Sequence, residues 1–333
     1  MPFDPTVAPS LDDIRAAATR LAPVAVRTPV LSSPVLDERL GGRLLVKAEP
    51  LQRSGSFKFR GAYNRVALIP EAERARGVVA FSSGNHAQGV AAAAKMFGIP
   101  AVIIMPADAP TLKITNTRGY GAEVILYDRT TGDPAQTREA IGQRISAERG
   151  MTLVKPYDDA GVIAGQGTAG LELAEEVRAR GLRLDAVVIC CSGGGLAAGV
   201  ATAVVDAFPA CDVWTAEPAG FDDMARSLSG GVRVKNQALT GSIQDALMAQ
   251  TPGEITFPIL TRHHARGAAV TDEEAKGAMR DAFFQLKLVC EPGGAAALAA
   301  VLAGHVPSTG RTVGVIASGG NVDAATYCAA IAG

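Results

Sequence analysis

Short, continuously apolar runs alternate with longer runs of helical pattern along almost the whole chain, and this alternation restricts the fold more than any other feature. The strand-like runs fall at 43–48, 77–81, 101–105, 124–127, 185–191, 212–216 and 312–317. They lack the in–out polarity of a strand with one wet face. A strand that is apolar on both sides has to be covered on both sides, as in a parallel sheet between helical layers. Helical pattern occupies 11–21, 86–97, a segment starting near 110, 135–149, 166–178, 196–208, 272–286 and 291–302. Ser10 with Asp13, and Thr271 with Glu274, have the spacing of capping boxes, although Asp is the weaker partner in that motif. The least regular stretch, 219–258, is rich in Gly, Ser, Thr and Gln and reads as a long functional loop. The expected class is α/β with mainly parallel sheets.

The balance of charge narrows the partners. The chain has 333 residues, 48% hydrophobic, with 32 Lys and Arg against 33 Asp and Glu. No basic block stands out, so nucleic acid is not an expected partner. No apolar run approaches the roughly 20 residues of a membrane span. The N-terminus lacks the charged and apolar regions of a secretory signal. Five cysteines, Cys190, Cys191, Cys211, Cys290 and Cys328, include an adjacent pair and form no CxxC. Neither a disulfide framework nor a zinc site is expected, which suits a reduced, cytoplasmic protein.

Lys58 carries the chemistry. In SGSFKFRGA (54–62) a lysine stands between two phenylalanines, after small and hydroxyl residues that allow close backbone approach. An amine held against apolar walls loses part of its basicity and becomes a nucleophile and base near neutral pH, the chemistry of a Schiff base with pyridoxal phosphate (PLP). A lysine snorkelling from an apolar face is the alternative. SGGGLAAG (192–199) follows a strand and opens a helix, so its N–H groups form a phosphate cradle. The same residues, Gly193, Gly195 and Ala198, with Glu217 some 20 residues on, also fit a dinucleotide fingerprint, so a nicotinamide oxidoreductase is a second class. SSGNHAQG (82–89) sets hydroxyl, amide and imidazole groups at a helix start, suited to a carboxylate, with Asn85 free for a phenolic oxygen; a plain helix cap is the alternative. Ser318, in SGGNVD (318–323), could bond a ring nitrogen or belong to an ordinary turn. In AEPAGFDD (216–223), Glu217, Asp223 and the Phe221 carbonyl could ligate Mg²⁺ or Ca²⁺, or the acids could be solvated.

Together with VIAGQGT (162–168), these segments resemble the fold-type II PLP enzymes, in the threonine/serine dehydratase and serine racemase family, and do so in that family's order. The resemblance implies two three-layer α/β/α domains of the tryptophan synthase β-like type, with PLP in the cleft between them. Residues 1–67 plus 153–333 would form the large domain and 68–152 the small one. Lys58 would hold PLP and move the Cα proton, with Ser83 on the opposite face. Phe57 and Asn85 would lie against the cofactor. Gly193, Gly194, Gly195 and Leu196 would take its phosphate, and Ser318 its ring nitrogen. Ser82, Ser83, Asn85, His86, Ser242 and Arg138 would meet the substrate. Glu217, Phe221 and Asp223 match the family's divalent-cation position. Asn-His-Ala-Gln after Gly84, where the cysteine-synthase branch has Thr for His86, points to the dehydratase branch. The C-terminal regulatory domain of allosteric threonine dehydratases is not expected after Gly333. The expected reaction is dehydration and deamination of L-threonine or L-serine to a 2-oxo acid and ammonia, in a homodimer. Serine racemisation and 3-hydroxyaspartate lysis are the alternatives, and a non-catalytic PLP-binding protein of the same fold is a further one.

Overall fold

The computed structural model describes residues 3–82 and 84–332. Among the described residues, ten strands form two sheets. They are β1 (Val30–Leu31), β2 (Arg43–Ala48), β3 (Val78–Phe81), β4 (Ala101–Pro106), β5 (Glu123–Tyr127), β6 (Thr152–Leu153), β7 (Ala186–Cys190), β8 (Asp212–Pro218), β9 (Arg266–Val270) and β10 (Thr312–Ala317). One sheet has the order β1-β2-β10-β7-β8-β9 and the other β5-β4-β3-β6. All pairings are parallel except β1 with β2.

The continuous apolar runs have the expected cause. In the larger sheet Ala186 and Val188 face one core with the helix Pro292–Leu302, while Val187 and Ile189 face another with the helices Ala160–Ala179 and Gly195–Ala207. In the smaller sheet Val78 and Ala80 pack towards the helix Asn85–Phe97, and Val79 and Phe81 towards Arg138–Arg149. Alternating residues thus meet different helical layers, so neither face of these strands is wet.

VIAGQGT lies inside the helix Ala160–Ala179, which begins six residues before the helical pattern at 166–178. Asp159 caps that helix by accepting from the Gly161 and Val162 N–H groups at 2.8 and 3.1 Å. Its glycines permit close helix contact: a Cβ on Gly167 would lie 2.9 Å from the Gly199 carbonyl oxygen. The 219–258 stretch also differs from expectation, because Asp223–Gly230 is a helix. Its first N–H groups are capped from a distance, Met224 and Ala225 donating to the Glu217 carboxylate at 3.1 and 2.8 Å, so no local capping signature marks it. Among the described residues, no helix is long and apolar enough to cross a membrane.

Parallel order brings the carboxyl ends of β2, β10 and β7 side by side, and β3 supplies the corresponding end of the second sheet. Ligands of open α/β sheets bind at such ends.

Candidate active site

A cavity opens at these strand ends and is lined by Lys58, Asn85, the Gly193–Leu196 loop, Arg138 and Ser318. Lys58 starts the helix Lys58–Ala67, which sequence patterns do not reveal because no side chain caps it. Of the flanking phenylalanines, Phe59 is fully buried and stacks on Tyr63, whereas the Phe57 ring lies 5.1 Å from the Lys58 ammonium. Lys58 Nζ donates to the Pro156 carbonyl at 2.8 Å. Desolvation lowers its pKa from 10.5 to about 8. Part of the side chain still borders open cavity.

The Lys58 loop is pinned to a segment some 260 residues away. Ser56 pairs with Gly319 in an antiparallel bridge, and the Phe57 N–H donates to the Ser318 carbonyl at 3.0 Å. This pairing puts Ser318 on the same cavity wall as Lys58.

Opposite stands the glycine loop after β7. Gly194 adopts φ 95°, and the helix Gly195–Ala207 begins at the next residue. A Cβ on Gly194 would strain the backbone and meet Thr256 Oγ1 at 2.7 Å. The first N–H groups of the helix have no acceptor within it and are available to an anion. Glu217, which a nicotinamide reading needs for a ribose, is fully buried and spends its carboxylate on Met224 and Ala225, so the dinucleotide alternative loses its acidic partner.

Ser82 and Asn85 line the cavity. Asn85 is less free than its sequence context suggests. Its Nδ2 donates to Glu291, and its Oδ1 accepts from Asn321 at 2.9 Å, leaving one N–H. His86 is buried, and burial together with the Lys58 charge lowers its pKa to about 3. Its Nε2 lies 3.0 Å from the Val154 carbonyl, so Nε2 carries the proton and Nδ1 can only accept. His86 also lines the cavity, and in this tautomer its neutral ring offers an acceptor on the Nδ1 side. Ser83 lies outside the described residues.

Arg138 lines the cavity, its guanidinium 5.6 Å from the Phe81 ring centroid and its Nε 2.7 Å from Glu139. Arg129, which sequence reasoning missed, lines the same cavity and pairs with Asp108. Ser242 does not reach the cavity: its hydroxyl donates to Asp272 at 2.6 Å, and its later neighbours Asp245–Ala249 form the wall instead.

The proposed cation ligands lie apart from this cavity. Glu217 and Asp223 are fully buried, and Asp223 Oδ2 has no hydrogen-bond partner. Burial and mutual repulsion push the Glu217 carboxyl well up, and burial brings Asp223 to about 6. No three His, Cys, Asp or Glu side chains cluster as a metal site among the described residues.

Residues 21–319 match the family model described as pyridoxal-phosphate dependent enzyme. The chain belongs to that family. It is 42% identical over 328 residues, 98% of both chains, to an L-threo-3-hydroxyaspartate ammonia-lyase of Saccharomyces cerevisiae. It is 40% identical to a serine racemase of Schizosaccharomyces pombe, across 97% of this chain and 98% of that one. Among solved structures, a maize serine racemase superposes with a TM-score of 0.90 at 37% identity, across 98% of this chain and 97% of that one. These fold-type II PLP enzymes share the parallel-sheet architecture described above.

The depressed Lys58 amine gives a direct expectation for this PLP-family protein. If Lys58 is the residue that takes PLP, capture by the apoprotein should accelerate as pH rises through about 8, where the amine becomes neutral. Stopped-flow absorbance across pH measures it; a midpoint near 10.5 would show that the amine is not desolvated.

Proposed function

We propose that this chain is a PLP-dependent ammonia-lyase that converts a small β-hydroxy amino acid to a 2-oxo acid and ammonia. The observation that carries the reading is the convergence of a desolvated Lys58, a glycine-loop anion cradle and Ser318 on one cavity. These residues fit PLP: a nucleophilic amine, N–H donors for a phosphate at 193–196 and a hydroxyl for a ring nitrogen. When bound, PLP supplies an electron sink for the substrate α-carbon. Lys58, whose amine loses its charge near pH 8, would take the α-proton at Nζ as a neutral base. That proton is then available to the β-hydroxyl, which departs as water. The enamine that is released hydrolyses to the oxo acid and ammonia. Ser82 and the N–H groups at the start of Asn85–Phe97 would hold the α-carboxylate. Ser318, a neutral partner, does not enforce protonation of a ring nitrogen as a carboxylate would, which favours elimination over transamination. Racemisation needs a second acid opposite Lys58, for which Ser83 is proposed.

Two substrate classes compete. L-Threonine and L-serine need one carboxylate site. Arg129 and Arg138 add two cations to the wall, and their partners Asp108 and Glu139 are at least half exposed and exchangeable, which supports a second carboxylate as in 3-hydroxyaspartate. Arg138→Met should lower kcat/KM for 3-hydroxyaspartate by about 10- to 100-fold, the worth of a charged hydrogen bond, and leave threonine within about threefold. Oxo-acid release from both substrates decides it; equal losses on both would remove the dicarboxylate reading.

Residues 1–67 with 153–333, and 68–152, are proposed as the large and small domains. A homodimer, tested by light scattering, belongs to the same proposal. Glu217, Asp223 and the Phe221 carbonyl are proposed to hold Mg²⁺ or Ca²⁺, supported by the unpartnered Asp223 oxygen. A chelator should lower the melting temperature of the parent protein and leave Glu217→Gln unmoved. A parent that is blind to both chelator and added cation would reject an occupied site.

A further inference from the structure

The reading of the cavity as a PLP site makes the orientation of the Asn85 amide consequential, and the surrounding bonds fix that orientation. Asn321 Nδ2 donates to the Ser54 carbonyl at 2.7 Å, which forces its NH2 end and lets it donate also to Asn85 Oδ1 at 2.9 Å. Asn85 Nδ2 in turn donates to Glu291. A carboxylate only accepts, so the Asn85 NH2 group must face it. One Asn85 N–H is thereby used and one remains for the cavity. Glu291 is 1% exposed and has Lys113 Nζ at 3.3 Å; Lys113, itself 4% exposed, also pairs with Asp245 at 2.8 Å. Burial raises the Glu291 carboxyl, and the Lys113 charge opposes that rise. None of these bonds is used by the lyase chemistry proposed above.

We propose that Glu291, with Lys113 as its counter-ion, is a positioning residue that keeps Asn85 presenting an N–H donor, rather than its carbonyl, to the phenolic oxygen of bound PLP. The proposal rests on the cofactor reading of the cavity. A donor there stabilises the ionised phenol, and a carbonyl there repels it.

Glu291→Gln tests this with little change of shape. A glutamine can offer either end of its amide, so position 291 no longer fixes the Asn85 amide, and only the Asn321 bond is left to oppose its turning over. The variant apoprotein should bind PLP about tenfold more weakly, the worth of one hydrogen bond to a charged group. The bound cofactor should shift from its long-wavelength, ionised-phenol band towards the short-wavelength band. The double variant Asn85→Asp with Glu291→Gln restores a hydrogen bond between the two side chains with the roles reversed. A purely structural bond would be rescued by this exchange, whereas the positioning role predicts no recovery of spectrum or PLP affinity. Lys113→Met leaves Glu291 in place but favours its protonation, and should move the spectrum in the same direction; it keeps the test open if Glu291→Gln does not fold. Unchanged spectrum and affinity in Glu291→Gln or Lys113→Met, or recovery in the exchange variant, would overturn the proposal alone. A parent protein that forms no visible band with PLP would overturn it together with the cofactor reading.

Discussion

Lys58→Ala is expected to abolish the visible PLP band and to lower oxo-acid formation by at least about a thousandfold, the loss that follows when both the nucleophile and a positioned general base are removed. The size of the effect comes from the double use of one amine. Its ammonium sits beside Phe57 and the Pro156 carbonyl, and no carboxylate bonds it. Burial alone therefore sets its pKa, which no other lysine in the cavity can reproduce. Lys113, on the same wall, is tied to Asp245 and Glu291, whose charges raise its pKa and hold it as a cation. Absorbance and a coupled oxo-acid assay on the purified variant check the expectation. The melting temperature of the apoprotein should stay near that of the parent, because the desolvation cost of a buried amine without a counter-ion offsets the lost hydrogen bond to the Pro156 carbonyl. A variant that retained the band would place the cofactor on another residue.

Arg60→Met should give the largest loss of stability. Arg60 and Glu49 are each fully buried, and the guanidinium donates to both Glu49 oxygens at 2.8 Å. It also reaches Glu172 at 2.7 and 2.9 Å, and Glu172 pairs in turn with buried Lys47 at 2.5 Å. Two cations and two anions thus balance beneath the helix that carries Lys58. Removing one cation strands a buried carboxylate, which costs about 3–5 kcal/mol. By contrast, Arg39→Met removes a half-exposed pair with Asp281 and should cost under about 1 kcal/mol. Urea unfolding of both variants measures the difference. Equal and small losses would mean that water or rearrangement neutralises the buried cluster.

The strands were legible in the sequence because Val187 and Val188, or Val102 and Ile103, are buried on opposite faces and leave no polar position in the run. The capping boxes at Ser10 and Thr271 were legible because their partners are three residues away, Asp13 serving as well as Glu274. The helices Lys58–Ala67 and Asp223–Gly230 were not, since one has no side-chain cap and the other is capped by Glu217 from the preceding strand. The cavity motifs were readable as residue types, but their bonding was not. The Glu291–Lys113 pair spans 178 positions and the Arg60–Glu172 pair 112, separations that no local pattern reports. For the same reason the tautomer of His86 and the turning of Ser242 towards Asp272 emerged only with the fold.

The most direct test of the account is the stoichiometry of product release from L-threonine, L-serine and L-threo-3-hydroxyaspartate. Ammonia and 2-oxo acid should appear in equal amounts from at least one of the three, stop when PLP is stripped and return when it is restored. Release of neither product from any of them by PLP-loaded protein would contradict it.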